Sequence, residues 1–177
     1  MKKKFAIMAL IVVSVIIYIS LFMQNSMTID ERIEKVLSTA YTNNYDSYAD
    51  DYDYKKMEKL ENKKLKEVDD LFTERGLEFI KRTRLMTESE RFIKEYKCNT
   101  SVESFNLDIR ETSDIKNKVC YYSIVVKIDF LDENDETVFT ELSGSMSLYL
   151  EDEVWLIGII LEDQFPFQDI DIEKSSD

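Results

Sequence analysis

The sequence predicts an α+β domain in which N-terminal helices pack on a curved antiparallel sheet. Apolar residues with helical spacing dominate the first half of the chain, and three strand-like runs joined by two short polar turns follow near the C-terminal end. Gly144 and Gly158 lie inside two of these runs, where glycine favours bends or bulges. A bent sheet has a concave face, which the helices are expected to fill.

The first of the three runs alternates between apolar and polar side chains. Its apolar positions are Cys120, Tyr122, Ile124, Val126, Ile128 and Phe130. That alternation predicts a strand with one buried face. The second run extends from Thr137 to Leu150; the third, Val154 to Leu161, is apolar on both faces and is expected to be the most covered strand of the meander. Earlier alternation at Phe105, Leu107 and Ile109 predicts one further strand.

Two helical stretches are predicted before the strands. Thr28 and Glu31 form a T-x-x-E capping box, and a helix that ends near Asn43 is expected to follow it. The apolar stripe of this helix is Ile33, Val36, Leu37, Ala40 and Tyr41. A second apolar stripe comes next, and Gly76 is expected to break or bend it. The segment from Thr87 to Tyr96 is compatible with a short helix or with an edge strand.

The N-terminal segment predicts a membrane anchor. Phe5 to Met23 is a run of about 19 uncharged residues, long enough at about 1.5 Å per residue to cross most of a ~30 Å hydrocarbon layer. Three lysines precede the run, and Asp30 and Glu31 follow it, which places the N-terminus in the cytoplasm and the remainder outside the cell membrane. A cleaved signal peptide is the alternative, but the length of the run and the Gln24-Asn25-Ser26 sequence favour a retained anchor.

Four segments are therefore expected. Residues 1–4 form a cytoplasmic tail, 5–23 the anchor, 28–163 an extracytoplasmic α+β domain and 164–177 an acidic C-terminal tail. Hydrophobic residues make up 44% of the chain, which permits a core, and the net charge of -13 disfavours binding to nucleic acids and to anionic lipids. Two interpretations of that charge stay open: a surface that maintains solubility, or a cationic partner.

Cys98 and Cys120 are the two cysteines, and both are predicted to lie outside the membrane. An oxidising location allows one disulfide between them, which is a hypothesis at this stage. Cys120 already has a core-facing position at the start of a strand.

The sequence offers little catalytic chemistry. It contains no histidine and three glycines, and it lacks GxSxG, CxxC and phosphate-loop motifs, so no catalytic residue, cofactor or metal is predicted. Asp132, Asn134 and Glu136 alternate like the first ligands of a Ca²⁺ loop. Thr137 and Ser143 stand where such a loop has its glycine and its bidentate acid, which favours a solvated hairpin turn.

Tyrosines concentrate between Tyr45 and Tyr54, among several aspartates. Tyrosine combines a flat apolar face with a polar edge, so this segment is a candidate loop for binding a sugar or a cation. The simpler interpretation, a half-buried connection between two helices, is favoured.

The order of elements resembles the NTF2-like (nuclear-transport-factor-2-like, cystatin-like) superfamily of α+β cones. Helices precede a bent antiparallel sheet whose last strand carries an aromatic-aliphatic run, here Val154 to Ile157, and the resemblance covers Thr28 to Asp163. With a short cytoplasmic tail and one membrane span, the layout is similar to VirB8/TcpC-type components of conjugation and secretion machines. The resemblance implies a non-enzymatic scaffold or assembly part that self-associates and contacts other membrane or envelope proteins.

The resemblance also implies a pocket inside the cone. The residues expected to line it are Tyr41, Tyr122, Met146 and Trp155. An alternative function is therefore the binding of a small apolar or cationic ligand. Isomerases of the superfamily use a tyrosine and a carboxyl group, so Tyr122 or Tyr41 beside a buried acid would imply catalysis. Asp129 and Glu141 fall on the phases alternate to their strands' apolar faces, and no catalytic residue is assigned.

Overall fold

The computed structural model describes residues 27–48, 53–131, 136–163 and 167. Its helices are α1 (Ile29–Tyr41), α2 (Tyr54–Leu65), α3 (Glu74–Thr83) and α4 (Glu90–Tyr96). Its strands are β1 (Cys98–Glu111), β2 (Asn117–Phe130), β3 (Thr137–Glu151) and β4 (Val154–Glu162), which form one antiparallel sheet in that order. The predicted α+β class is confirmed. The predicted anchor, the acidic turn at 132–135 and most of the C-terminal tail lie outside the described residues.

The core lies between the helices and one face of the sheet, here called the inner face. All six apolar positions predicted for β2 are buried there. The apolar stripe predicted for α1 is buried as well, and Thr28 and Glu31 form the predicted capping box, with the Thr28 N–H donating to Glu31 Oε2 over 2.7 Å. Burial of one stripe of a helix against one face of a sheet supplies most of the stabilisation of such a domain.

The expectation that Gly76 breaks a helix is wrong. Gly76 lies in the first turn of α3, and its N–H donates to Oγ1 of the N-cap residue Thr73 over 3.0 Å. A Cβ at position 76 would lie 2.6 Å from the carbonyl oxygens of Ile157 and Gly158. Glycine is needed because α3 approaches the backbone of β4 this closely, and the chain leaves helical geometry earlier, after Leu65.

β4 is an edge strand, so the expectation that it is the most covered strand is wrong. Its free edge is partly shielded by the start of α3, where the Thr73 N–H donates to the Ile157 carbonyl over 2.9 Å. The apolar residues on its second face remain half-exposed or exposed, as at Ile159 and Leu161. β4 is apolar on both faces because one face packs under a helix and the other is an exposed surface. Its position in the sheet is not central.

Two β-bulges bend the sheet. One lies in β1, between Val102 and Ser104. The other lies in β4. Met146 of β3 pairs with Ile160 and Leu148 pairs with Ile157, so β4 has one extra residue between the two pairs. This bulge lies next to Gly158, where a bend or bulge was predicted. The segment from Thr87 to Tyr96, predicted as either a short helix or an edge strand, contains the helix α4. A 3-10 turn at Leu85–Thr87 precedes this helix.

The hypothesis of a disulfide is wrong. Cys98 and Cys120 are both buried free thiols. Cys98 pairs with Phe130, which is ten residues along β2 from Cys120, a distance on the order of 30 Å at about 3.3 Å per residue. A disulfide requires Cα atoms within about 7 Å.

Candidate functional site

A cavity lies where α3 and the following 3-10 turn meet the end of β4. Its volume is about 400 Å³, within the range of about 300 to 1,000 Å³ usual for small-molecule sites. The apolar part of its wall includes Phe79, Leu85 and Ile160, and its carboxylates are Glu88, Glu162 and Asp163. We call it the Glu162 cavity.

A row of residues across three strands leads from the core to this cavity. Tyr122 of β2 lies opposite Gly144 of β3, and Gly144 lies opposite Glu162 of β4. Directly opposed residues share a face of the sheet, here the inner one. A Cβ at position 144 would lie 2.5 Å from the Tyr122 hydroxyl oxygen and 2.7 Å from its Cζ. The phenol therefore crosses over Gly144 towards Glu162, in space that only glycine leaves free.

Two polar atoms along this row have no hydrogen-bond partner among the described residues. Tyr122 is 3% exposed, and among the described residues its hydroxyl has no hydrogen-bond partner. Glu162 Oε1 is likewise buried without a partner in the described part of the chain. Each such orphaned group typically costs about 1–3 kcal/mol, because the water that solvated it in the unfolded chain is not replaced.

In the described part of the chain, the charged side chains that line the cavity are all carboxylates. Burial raises the pKa of Glu162 to about 7 and also raises the pKa of Glu88. The pKa of Tyr122 is raised by burial first and then by the charges of Asp163 and Glu88. Asp163 accepts a hydrogen bond from Ser143 Oγ over 2.9 Å. Within the described ranges, none of the three carboxylates forms a salt bridge.

The four residues predicted to line a pocket are not brought together at this cavity. Tyr41 and Met146 are buried in the core, and Trp155 is partly buried with Lys118 Nζ 4.9 Å from its ring centroid. Tyr122 is buried on the inner face of β2, and none of the four is among the residues that line the Glu162 cavity. Their contact with a ligand stays a prediction.

Sequence reasoning missed Glu88 and Glu162. The third predicted strand stopped at Leu161, one residue short of the observed end of β4. Strand alternation could have found Glu162, because it lies two residues after the buried Ile160 and therefore on the same face. No local signal places Glu88 there, since its position depends on how α3 packs.

A second buried polar region surrounds Asn43 and is called the Asn43 cluster. The Asn43 amide nitrogen donates to Ala40 O over 3.2 Å, to Ser89 Oγ over 3.0 Å and to Thr100 Oγ1 over 3.2 Å. Its Oδ1 accepts from Tyr48 Oη over 2.7 Å and from Lys64 Nζ over 2.5 Å. One side chain thus joins the end of α1 to α2, to the turn before α4 and to β1.

Lys64 completes the C-terminus of α1. That helix has no basic residue in its last turn, and Lys64 Nζ donates to the carbonyl of Ala40 over 3.2 Å and to that of Thr42 over 3.4 Å. A cation near the exposed carbonyls at a helix C-terminus is stabilising. Burial lowers the pKa of Lys64 to about 8. The tyrosine-rich segment nearby is a connection between helices, with Tyr48 buried and Tyr54 exposed.

The face of the sheet opposite to the helices, here called the outer face, carries exposed apolar side chains. Tyr121, Phe139, Tyr149 and Leu161 lie on it and are between 36% and 59% exposed. Arg110 lies over the Tyr121 ring, 5.0 Å from its centroid.

In the described ranges, no helix is long and apolar enough to cross a membrane. No group of three or more cysteine, aspartate or glutamate side chains in those ranges is arranged to hold a metal ion.

Solved structures show similarity to this chain at low sequence identity. An IcmL-like type IV secretion system protein from Legionella pneumophila matches with a TM-score of 0.48 and 9% identity over 74% of this chain and 86% of that one. CagV, a VirB8 homolog of the type IV secretion system of Helicobacter pylori, matches with a TM-score of 0.46 and 10% identity over 73% and 93%. A periplasmic fragment of TraM matches with a TM-score of 0.40 and 12% identity over 72% and 89%.

VirB8-like and IcmL-like proteins are thus among the structures that this chain resembles, as the order of its elements predicts. Since these TM-scores are below 0.5, no residue role is transferred from them. No family model matches the sequence. No curated protein matches it either.

Proposed function

We propose that this chain is a single-pass membrane protein whose extracytoplasmic domain is a non-catalytic scaffold or assembly component. Its N-terminus is cytoplasmic, Phe5 to Met23 spans the membrane, and the domain contacts other membrane or envelope proteins. In its most specific form, the proposal places the protein in a conjugation or secretion apparatus, because the layout is that of VirB8/TcpC-type components.

The observation that carries this proposal is the short distance between the uncharged segment and the folded domain. α1 begins at Ile29, six residues after Met23. A chain of that length spans at most about 20 Å when fully extended. The domain is therefore held against the bilayer surface, close to whatever other proteins surround the anchor.

The outer face provides a surface for those contacts. Single exposed apolar residues are normal on soluble proteins, but this face carries four of them. Tyr121 and Leu161 lie in one cross-strand row, on either side of Ser145, and this row is the part of the outer face proposed for a protein partner.

Topology is tested by cysteine labelling of intact cells. Asn106→Cys, on the exposed outer side of β1, should react with a membrane-impermeant maleimide, whereas Lys3→Cys should react only after permeabilisation. The unmodified chain is the control, since both native thiols are buried. The opposite labelling pattern, or recovery of soluble protein in the medium beginning after Ser26, would contradict the proposal.

Assembly is tested by photo-crosslinking in the same cells. A photo-reactive residue at Tyr121 should give specific adducts with other envelope proteins or with a second copy. The same residue at Lys59, on the exposed side of α2, should give none above background. Equal adduct patterns at the two positions would show that the outer face is not the contact surface.

A further inference from the structure

We propose that the C-terminal segment, residues 168–177, pairs along the free edge of β1 as a fifth strand of the sheet and runs in the same direction as β1. The pairing does not depend on the proposed function, because it uses a strand edge and not the outer face of the sheet.

The two edges of the sheet differ in how they are covered. At β4, the Thr73 N–H donates to the Ile157 carbonyl over 2.9 Å. At β1, Thr100 and Asn43 exchange two backbone hydrogen bonds of 2.9 Å each. From residue 102 to residue 111, β1 has no backbone–backbone hydrogen bond to any described residue outside β2. A free strand edge of this length is a template for a further strand.

The uncovered part of β1 has one apolar side. Phe105, Leu107 and Ile109 are half-buried against the core, whereas Asn106 and Asp108 between them are exposed. A strand laid along this edge completes the burial of the three apolar side chains if its own apolar residues lie on the same face. The edge therefore fits a segment in which apolar and polar residues alternate.

The C-terminal segment has this alternation. Asp169, Ile170, Asp171 and Ile172 follow one another after Phe167. Such a pattern is typical of a strand with one apolar face. In the proposed pairing, the two isoleucines extend the apolar row on the inner face, and the two aspartates face solvent on the outer face.

The position of Phe167 places this segment beside the edge. Phe167 stacks on Phe92 of α4, with 4.6 Å between the ring centroids. Ser89, three residues before Phe92, accepts a hydrogen bond from the Asn43 amide nitrogen, which also donates to Thr100 Oγ1. The chain after Phe167 therefore departs close to the level of Thr100, where the covered part of the β1 edge ends.

The length of the segment is sufficient for the pairing. Its ten residues span about 33 Å when extended, and the distance from Thr100 to Leu107 along β1 is about 23 Å. An extended chain that starts near Thr100 and runs along β1 brings the alternating residues alongside residues 102–107. The same chain therefore supplies the strand that its own edge lacks.

The experiment is amide hydrogen exchange of the full chain in detergent, followed for each residue by NMR. Within residues 102–107, some amides do not donate to β2, and we expect these to exchange at least about tenfold more slowly than exposed loop amides. The double variant Ile170→Ser, Ile172→Ser should lose this protection. Amides of the same residues that donate to β2 should stay protected, which shows that the domain remains folded.

The matched control replaces the other face of the segment. Asp169→Ser, Asp171→Ser changes the same number of neighbouring residues but should leave the protection within about twofold of the unchanged chain, because these side chains face solvent. Free-edge amides that exchange equally fast in the unchanged chain and in the isoleucine double variant would overturn the proposal. Equal loss of protection in the two double variants would overturn the assigned faces.

A mixing experiment tests which copy supplies the strand. The isoleucine double variant is labelled with ¹⁵N and mixed with an excess of the unlabelled, unchanged chain. We expect its free-edge amides to stay unprotected, because the segment acts within its own chain. Recovery of their protection would show that a neighbouring copy supplies the strand and would overturn the same-chain pairing.

Discussion

The Asn43 cluster and the Glu162 cavity are two polar regions of one small domain that differ in whether their buried polar atoms have hydrogen-bond partners. In the cluster, both polar atoms of the Asn43 side chain have partners, and the half-buried cation Lys64 donates to the carbonyls that end α1. In the cavity, two buried oxygen atoms have none among the described residues. The first arrangement fixes how the helices meet the sheet, and the second leaves two buried oxygen atoms unsatisfied.

The difference has an energetic meaning. A fully satisfied polar network rigidifies the packing around it, whereas orphaned polar groups lower stability until something binds them. Mutations in the cluster should therefore destabilise the fold, and mutations that remove polarity from the cavity should be neutral or stabilising.

The largest effect is expected for Asn43→Ala. This change removes the partner of Tyr48, Lys64, Ser89 and Thr100 at once, and we expect a loss of about 3–4 kcal/mol in the free energy of unfolding because several buried groups are left unsatisfied. Urea denaturation measures it. Asn106→Ala, an exposed asparagine on β1, is the control and should change stability by less than about 0.5 kcal/mol. Similar values for the two variants would remove the structural role assigned to the cluster.

Gly144→Ala should be next in size. Its Cβ would clash with the Leu161 carbonyl oxygen and would lie 2.5 Å from the Tyr122 hydroxyl oxygen, so both the β4 backbone and the phenol must move, and overpacking of this kind costs about 1–3 kcal/mol. Thermal unfolding compares it with Ser145→Ala, the neighbouring residue on the outer side of β3, which should be nearly neutral. A neutral Gly144→Ala would mean that neither the Leu161 carbonyl nor Tyr122 approaches Gly144 this closely.

Glu162→Gln should stabilise the protein above pH 7. Burial raises the folded-state pKa of Glu162 to about 7 from an ordinary value of 4.5. The folded state thus holds the proton more tightly, and this contribution to stability, complete below pH 4.5, is lost as the pH rises through 7. We expect the glutamine variant to be more stable than the unchanged chain by about 1–2 kcal/mol at pH 8, and similar to it near pH 4.

Urea denaturation across this pH range measures the effect. Glu103→Gln, at an exposed acid of β1, is the matched control and should change stability by less than about 0.5 kcal/mol at pH 4 and at pH 8. A stability difference for Glu162→Gln that does not change between pH 4 and pH 8 would show that the Glu162 carboxyl is solvated normally.

The smallest effect separates two tyrosines. Tyr48 and Tyr122 are 1% and 3% exposed, but the Tyr48 hydroxyl donates to Asn43 and the Tyr122 hydroxyl has no partner in the described part of the chain. Tyr48→Phe should cost about 1–1.5 kcal/mol, whereas Tyr122→Phe should be neutral or stabilising by up to about 1 kcal/mol, because it removes an orphaned hydroxyl and leaves a small void. Equal losses in the two variants would show that Tyr122 has a partner after all.

The fold was largely predictable because its periodic signals are local. The two-residue period of β2 and the stripe of α1 each lie within a dozen or so consecutive residues, and every apolar position in them is buried. Sheet order was not predictable in the same way. The apolar pattern of β4 does not say whether another strand or a helix covers it, and its edge position depends on pairing with β3 alone.

Neither polar region could be predicted from the sequence. Asn43 is separated from Ser89 by 46 residues and from Thr100 by 57, so its contacts exist only once the helices have packed. The sequence indicated only that a helix ends near it. The row from Tyr122 to Glu162 likewise depends on the register of three strands, which alternation alone does not determine.

The contrast between a satisfied polar cluster and an unsatisfied buried acid is tested most directly by the pKa of the Glu162 carboxyl. Carbon-detected NMR on the full chain with labelled glutamate would measure it. We expect titration near pH 7. Titration at the ordinary value of about 4.5 would contradict this contrast.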